Sequence, residues 1–375
     1  MGQLQDRKES GSSSKAKDVL LITHEFNPGE IQHLLKDLHD QHPSIRAEIV
    51  GDSPLDKVPK ETLQATKYIL SFNKFPKPEQ VPNLEFVQLF SAGANHLFDN
   101  PLWKWKPNEV KWCSASGVHG PIIGEYVVMA ILAHFHMYIR AIDAFQGEGR
   151  WPENWPRFMP RQKELYGQTV GIIGYGAIGR NVAKLLTGFN VNVITLNSSK
   201  KSTPGERRQK PEFTVPGSGD IPGDIPKRWY SSNDAEEKKK FFEDSDVVVV
   251  TAPYTPATKH LVDAKSIGYM KNTALIVNIA RGELIDQDAL IEALEKKEIG
   301  GAALDVMTPE PYPSDGPLLK EFGGKEDRER VVLTPHISGH TENYTRYVVE
   351  ILEENLNRLV KGETLLNLID KSKGY

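Results

Sequence analysis

Three reactive side chains stand in three short motifs, each just beyond a run of apolar residues. Arg281 lies in Asn278-Ile-Ala-Arg-Gly282, Glu310 in Asp305-Val-Met-Thr-Pro-Glu-Pro311, and His336 in Thr334-Pro-His-Ile-Ser-Gly339. The runs before them, 274–279, 302–306 and 331–333, read as strands. Ligands of open parallel sheets bind outside the carboxyl ends of the strands, so the three side chains should converge. A guanidinium grips a planar carboxylate with two parallel hydrogen bonds and polarises a neighbouring carbonyl. An imidazole gives a proton to an oxygen that turns negative as hydride arrives, and a bonded carboxylate fixes its tautomer and favours its cation. Singly, Arg281 reads as a surface cap, Glu310 as a turn acid and His336 as a packed strand-end residue. Jointly they describe the reversible reduction of a 2-oxo acid.

The hydride carrier has its place too. Val170-Gly-Ile-Ile-Gly174-Tyr-Gly176-Ala-Ile-Gly179 is an apolar run, then a G-x-G-x-x-G turn, then a helical pattern. Gly174 permits the tight turn, Gly176 lets a pyrophosphate approach the backbone, and Gly179 allows close helix–strand packing. The helix N-terminus offers free N–H groups to the phosphates. With both flanks correct, the loop that includes Tyr175, Ala177 and Ile178 signals a dinucleotide rather than a plain turn. The next run, 191–196, ends in Asn197-Ser-Ser-Lys-Lys201, where an Asp or Glu normally takes the ribose 2′-hydroxyl of NAD. No acid follows until Glu206, and Asn197, Ser198, Ser199 and Lys200 can donate to a 2′-phosphate. The expected cofactor is NADP or NAD, with NADP favoured; the plainer reading of Lys200 and Lys201 is a solvated basic loop.

Elements that would carry these residues alternate along the chain. Residues 19–22, 47–50, 68–72 and 86–90 read as strands and 31–38 as a helix. Residues 121–145 carry one long helical pattern suited to a connector, and Gly147 to Trp151 end it with turn chemistry. A second series follows, with strands at 170–173, 191–196, 247–251, 274–279, 302–306 and 331–333. Helices are expected at 177–186 and 287–297, and a long one at 342–360. Such alternation implies parallel sheets covered by helices. The expected architecture is α/β, two doubly wound domains, with a cofactor domain at 146–336 inserted into a substrate domain of 19–145 and 337–375. Residues 1–18 read as a disordered leader. Residues 198–243, rich in Pro and Gly, break the rhythm and read as a surface insertion.

The chain has 375 residues, 46 basic against 50 acidic, and a net charge of −4. No global field would hold a nucleic acid or an anionic membrane, so neither partner is expected. The only asymmetry is local: residues 200–210 hold Lys200, Lys201, Arg207, Arg208 and Lys210 against Glu206. One cysteine, Cys113, excludes an intramolecular disulfide and thiolate metal clusters, which fits a cytoplasmic protein. The N-terminus lacks the apolar core of a secretory signal. His134 and His136 do not share a helix face and make a poor metal pair, so no metal is expected. His96 and His119 could line the cleft or simply pack. Lys238-Lys-Lys240 beside Glu236-Glu237 is most simply a solvated helix face.

Gly-Tyr-Gly-Ala-Ile-Gly, Asn-Ile-Ala-Arg-Gly, Ala-Leu-Asp-Val-x-x-Pro-Glu-Pro and Thr-Pro-His-Ile-Ser-Gly together resemble the D-isomer-specific 2-hydroxyacid dehydrogenases. The likeness runs over nearly the whole chain from Val19. It implies a Rossmann cofactor domain inserted into a flavodoxin-like substrate domain, and a homodimer formed through the connector helices. By this resemblance His336 is the acid/base, Glu310 its partner and Arg281 the substrate anchor. Asp305 would hold the nicotinamide carboxamide, Ala252, Pro253 and Thr258 would lie by the adenosine half, and Ile279, Ala280 and Gly339 join the cofactor set. Ala92, Gly93 and Ala94 match the loop whose backbone N–H groups bind the substrate carboxylate. Departures are Asn197, where the family often has Asp, and His136, where members often carry Arg. The 198–243 insertion is longer than most and similar to that of fungal representatives. Glu310 argues against the family's formate dehydrogenases, which place Gln there. The implied substrate is glyoxylate, hydroxypyruvate or a bulkier 2-oxo acid; the alternative is a dinucleotide-sensing scaffold, like the corepressors of the C-terminal-binding-protein type.

Overall fold

The computed structural model describes residues 18–26, 28–51, 53–147, 151, 162–210, 212–324 and 330–371. The expected leader, apart from Asp18, and most of the expected turn at 147–151 lie outside the described residues. The chain forms two compact units: Met1–Ser91, His96–Ser114 and Val349–Ile369 in the first, and Ala92–Asn95, Ala115–Val348 and Asp370–Tyr375 in the second.

The first unit holds β1 (Asp18–Ile22), β2 (Ile45–Ile49), β3 (Thr66–Ser71), β4 (Phe86–Leu89) and β5 (Lys111–Cys113). They pair in the order β2-β1-β3-β4-β5, all parallel, which is the flavodoxin-like doubly wound order. Three-residue β5 went unread because Lys-Trp-Cys is too short to show a period. Parallel strands buried on both faces read as continuous apolar runs, and Val19 to Ile22 are fully buried. The C-terminal segment closes this unit. Asn355, buried on the last helix, donates to Gln88 Oε1 of β4 at 3.1 Å and to the Leu366 carbonyl at 3.2 Å. Its own amide oxygen takes the Leu366 N–H at 2.8 Å.

The second unit holds β6 (Thr169–Ile173), β7 (Asn192–Asn197), β8 (Arg228–Ser231), β9 (Val247–Val250), β10 (Leu275–Asn278), β11 (Gly301–Leu304) and β12 (Val331–Leu333). Their order is β12-β11-β10-β9-β6-β7-β8, again all parallel. The order reverses at β6, and the crevice at that switch point is where a doubly wound sheet binds its ligand.

Two expectations change. The pattern at 121–145 is not one helix. It is Gly120–Phe135, a break where Met137 takes a left-handed φ of 51°, the short helix Tyr138–Ile142 and a π-turn at Asp143–Gly147. Nor is it a free connector. It lies wholly in the second unit, where Gly124 packs so closely on the helix Ala177–Leu186 that an added Cβ would stand 2.7 Å from Asn181 Nδ2. The stretch at 198–243 is likewise not all surface. Its second half supplies β8 and the helix Ala235–Asp244, whose Phe241 and Phe242 are fully buried while Lys240 is exposed and Lys238 and Lys239 are half-buried. Asp234 caps that helix, accepting the Glu236 and Glu237 N–H groups at 3.0 Å. Among the described residues no single helix is long and apolar enough to cross a membrane.

Candidate active site

The glycine turn leaves β6 with Gly174 at φ 87°, and an added Cβ there would meet Ala252 Cα at 2.7 Å. This tight contact fixes Ala252, and Pro253 beyond it, against the turn. Thr251 Oγ1 donates to the Gly174 carbonyl at 2.5 Å. A Cβ on Gly179 would collide with that same carbonyl, so the helix starting at Ala177 and Ile178 must lie close against the strand. Gly176 is the exception: nothing stands within 4 Å of where its Cβ would be, and the helix has no side-chain cap. An open glycine face before an uncapped ten-residue helix fits a dinucleotide pyrophosphate.

After β7, Asn197 works inside the fold. Its Oδ1 accepts the Tyr175 N–H at 3.2 Å and its Nδ2 donates to Thr195 Oγ1 at 3.2 Å. Ser198, Ser199 and Lys200 are exposed, and Lys200 pairs with Glu237 at 3.2 Å. Thr258 closes the turn after β9, accepting the Thr255 N–H at 2.7 Å and donating to the Pro253 carbonyl at 2.9 Å.

The three reactive residues sit past β10, β11 and β12. Ile279 is buried and Ala280 N–H is held by Asn278 Oδ1 at 3.1 Å, which shapes the turn presenting Arg281. Arg281 Nη1 donates to the Ala280 carbonyl at 2.6 Å, while a Cβ on Gly93 would stand 3.3 Å from Nη2. The Ala92–Asn95 loop belongs to the second unit with Arg281, and its Gly93 is set beside the guanidinium. His336 Nδ1 is hydrogen-bonded to Glu310 Oε1, with both side chains a little under half exposed. Nδ1 being engaged, Nε2 is the free ring nitrogen.

Asp305 organises the His336 loop. Its buried carboxylate accepts the Thr334 hydroxyl at 2.6 Å, the Ile337 N–H at 2.9 Å and the Ser338 N–H at 2.9 Å. Its carbonyl takes the His336 N–H at 2.8 Å. Sequence reasoning missed what stands behind it. Because Thr334 gives its one proton to Asp305, Tyr126 donates to Thr334 Oγ1, at 2.5 Å. Burial pushes the Tyr126 phenol up, which keeps that proton in place. No local signal could have joined residues 208 apart. His119, read only as a possible cleft residue, packs where a Cβ on Gly339 would stand 2.9 Å from its ring, and its ring lies 4.8 Å from that of Tyr344. Burial, then the charges of Arg281, His336 and His340, push its pKa down to about 4. It is a neutral imidazole beside the Arg281 guanidinium.

The chain matches the family model for the D-isomer specific 2-hydroxyacid dehydrogenase NAD binding domain over residues 128–215 and 227–338. It is 31% identical to the glyoxylate reductase of Thermofilum pendens over 293 residues, 78% of this chain and 77% of that one. It is 32% identical to the glyoxylate reductase of Thermococcus gammatolerans over 250 residues, 66% of this chain and 65% of that one. The fold is similar to the D-isomer specific 2-hydroxyacid dehydrogenase of Xanthobacter autotrophicus in complex with NADPH and MES, with a TM-score of 0.73, 24% identity and coverage of 96% and 100%. It is similar also to the NADPH-dependent glyoxylate/hydroxypyruvate reductase of Sinorhizobium meliloti, with a TM-score of 0.72, 22% identity and coverage of 96% and 100%. The sheets, the glycine turn and these matches agree: the chain belongs to the D-isomer-specific 2-hydroxyacid dehydrogenase family, NAD(P)-dependent oxidoreductases of small 2-oxo and 2-hydroxy acids.

Proposed function

We propose that the protein is a cytoplasmic, homodimeric reductase of glyoxylate, hydroxypyruvate or a similar small 2-oxo acid, using NADPH ahead of NADH. The observation that carries this reading is the hydrogen-bonded His336–Glu310 pair, held on an Asp305-clamped loop at the same sheet edge as Arg281. Arg281 takes the substrate carboxylate, with the backbone N–H groups of Ala92 to Ala94 completing its cradle. His336 Nε2 then faces the oxo oxygen and delivers its proton as negative charge develops there. Glu310 on Nδ1 stabilises the imidazolium before transfer and keeps the ring oriented. The bound reduced dinucleotide supplies the hydride. Gly174 to Gly179 hold its pyrophosphate, while Ala252, Pro253 and Thr258 wall its adenosine side.

The NADP preference rests on Ser198, Ser199, Lys200 and Lys201, a stretch with donors and no carboxylate. Lys200 is shared with Glu237 in a partly exposed pair, which is weak enough for a 2′-phosphate to displace. Homodimerisation is supported by an apolar groove on the second unit, lined by Val128, Met129, Leu132, Tyr138, Leu185 and Phe189. Met129 and Tyr138 are more than half exposed there. The free Cys113 suits the reducing cytoplasm.

The test is oxidation of NADPH and NADH against a panel of 2-oxo acids, with wild type and His336→Ala. Wild type is expected to turn over glyoxylate or hydroxypyruvate and to prefer NADPH. The variant is expected to lose about 10²–10⁴-fold in turnover while still binding the dinucleotide. Near-normal turnover in the variant removes His336 from the mechanism. A preference for NADH overturns the cofactor choice. Tight dinucleotide binding with no acid reduced favours a sensing scaffold instead.

A further inference from the structure

Beyond Lys201 the irregular stretch between β7 and β8 has no part in the reaction described above, and residues 216–226 fall outside the family match. Yet much of this stretch is anchored on the glycine turn and the helix after it. Tyr175 stands between the two turn glycines, and its hydroxyl donates to Asp220 Oδ2 at 2.8 Å. Asp220 is buried, and its carboxylate also gathers the N–H groups of Gly223, Asp224 and Ile225 at 3.1, 3.2 and 3.1 Å. On the next turn of helix, buried Arg180 spans two loop carbonyls, donating to Asp220 O at 2.5 Å and Arg207 O at 2.6 Å. Its guanidinium lies 4.8 Å over the Tyr175 ring, which also meets Trp229 edge-on at 5.0 Å. Asn181 Oδ1 accepts the Gly219 N–H at 3.1 Å, and Lys184 donates to the Gly217 carbonyl at 2.5 Å.

The loop is built to hold this shape. Gly217, Gly219 and Gly223 take left-handed φ values of 78°, 72° and 79°, and a Cβ on Gly223 would collide with the Arg207 carbonyl. Lys184 lies one turn beyond Arg180 and Asn181, and all three give hydrogen bonds to the loop or accept them from it, Asn181 doing so while its Nδ2 serves the Gly120 carbonyl. Burial and the Asp220 bond push the Tyr175 phenol up, so it remains a donor.

We propose that Asp220 is a positioning residue for the dinucleotide, locking Tyr175 so that the Gly174–Gly176 turn is set in its binding shape before the cofactor arrives. The stretch is thus a brace for the phosphate turn. A turn that is ordered in advance loses less freedom on binding, and that difference appears as affinity. Tyr175→Phe, which removes only the hydroxyl, leaves Asp220 short of one buried donor and frees the ring to move.

This inference rests on the reading of the glycine turn as the dinucleotide site. The experiment titrates NADPH and NADH by fluorescence into wild type, Tyr175→Phe, Asp220→Asn and the double variant, with thermal unfolding alongside. The Kd for dinucleotide is expected to rise about tenfold in each single variant, with little further loss in the double one. An unchanged Kd in Tyr175→Phe overturns the brace, as does a fall in melting temperature with no change in Kd. Additive losses in the double variant overturn the Tyr175–Asp220 link. Should Asp220→Asn fail to fold, the one-oxygen Tyr175→Phe change still decides. If wild type binds neither dinucleotide, the site assignment fails instead of the brace.

Discussion

His336 holds its backbone at φ 54°, a left-handed conformation that costs a residue with a side chain about 1–3 kcal/mol. The cost is offset by the hydrogen bonds that converge on its loop from Asp305, so this carboxylate decides where the imidazole points. Beside it, His119 makes a prediction of its own. Its pKa falls from 6.5 to about 4 on folding, mainly through burial. Above pH 6.5 both states are neutral and the shift has no effect. Below it the unfolded chain takes up a proton that the folded chain refuses, so stability drops as the pH falls toward 4, by on the order of 3 kcal/mol. Melting temperatures between roughly pH 7.5 and 4.5 should therefore fall more steeply in wild type than in His119→Gln. Parallel slopes would show that His119 does not carry the effect. At this scale Arg281, Glu310 and His336 were legible because each sits in its own short motif. The Tyr126–Thr334–Asp305 chain was not, since a contact between distant residues leaves no spacing to read.

Among the elements, the packing of Gly120–Phe135 on Ala177–Leu186 turns on Gly124. In an exposed helix Gly→Ala gains about 1 kcal/mol. Here the new methyl would meet Asn181 Nδ2 at 2.7 Å and Leu185 Cδ1 at 2.8 Å. Leu185 can move aside, but Asn181 is buried and already donates to the Gly120 carbonyl at 2.6 Å. Overpacking of this kind costs about 1–3 kcal/mol, so Gly124→Ala should lower the denaturation midpoint. A rise would mean the helices are not packed this tightly. The sequence pattern disclosed most strands, because parallel strands buried on both faces are nearly unbroken apolar runs such as Val247 to Val250. It failed where local chemistry and tertiary use diverge. The apolar period runs straight through the break at Met137, and Arg228–Ser231 is a four-residue strand behind a Pro- and Gly-rich approach.

For the whole molecule, the apolar groove between Gly120–Phe135 and Ala177–Leu186 sets the assembly prediction. Sedimentation velocity at micromolar concentration should give a dimer, and Met129→Glu should shift it toward monomer by burying an unpaired charge. A wild-type monomer would sink the proposal. Sequence reading reached the division into two doubly wound sheets because strand and helix alternate in two series. It placed the changeover at 145, while the contacts place it at Ser114 and Ala115, because a helix's partner is not written in its own periodicity.

The first unit is assembled from both ends of the chain, and this bears on how the protein emerges from the ribosome. Its sheet is complete by Cys113, and Gln88 Nε2 on β4 has its carbonyl partners by Ser114, yet the Gln88 Oε1 finds its donor only when Asn355 has been synthesised. The nested unit has its last strand at Val331–Leu333, before that partner exists. Vectorial synthesis thus lets the cofactor-binding half finish its sheet while the earlier-made half is still open, with the buried Gln88 amide oxygen waiting for the last helix to seal it.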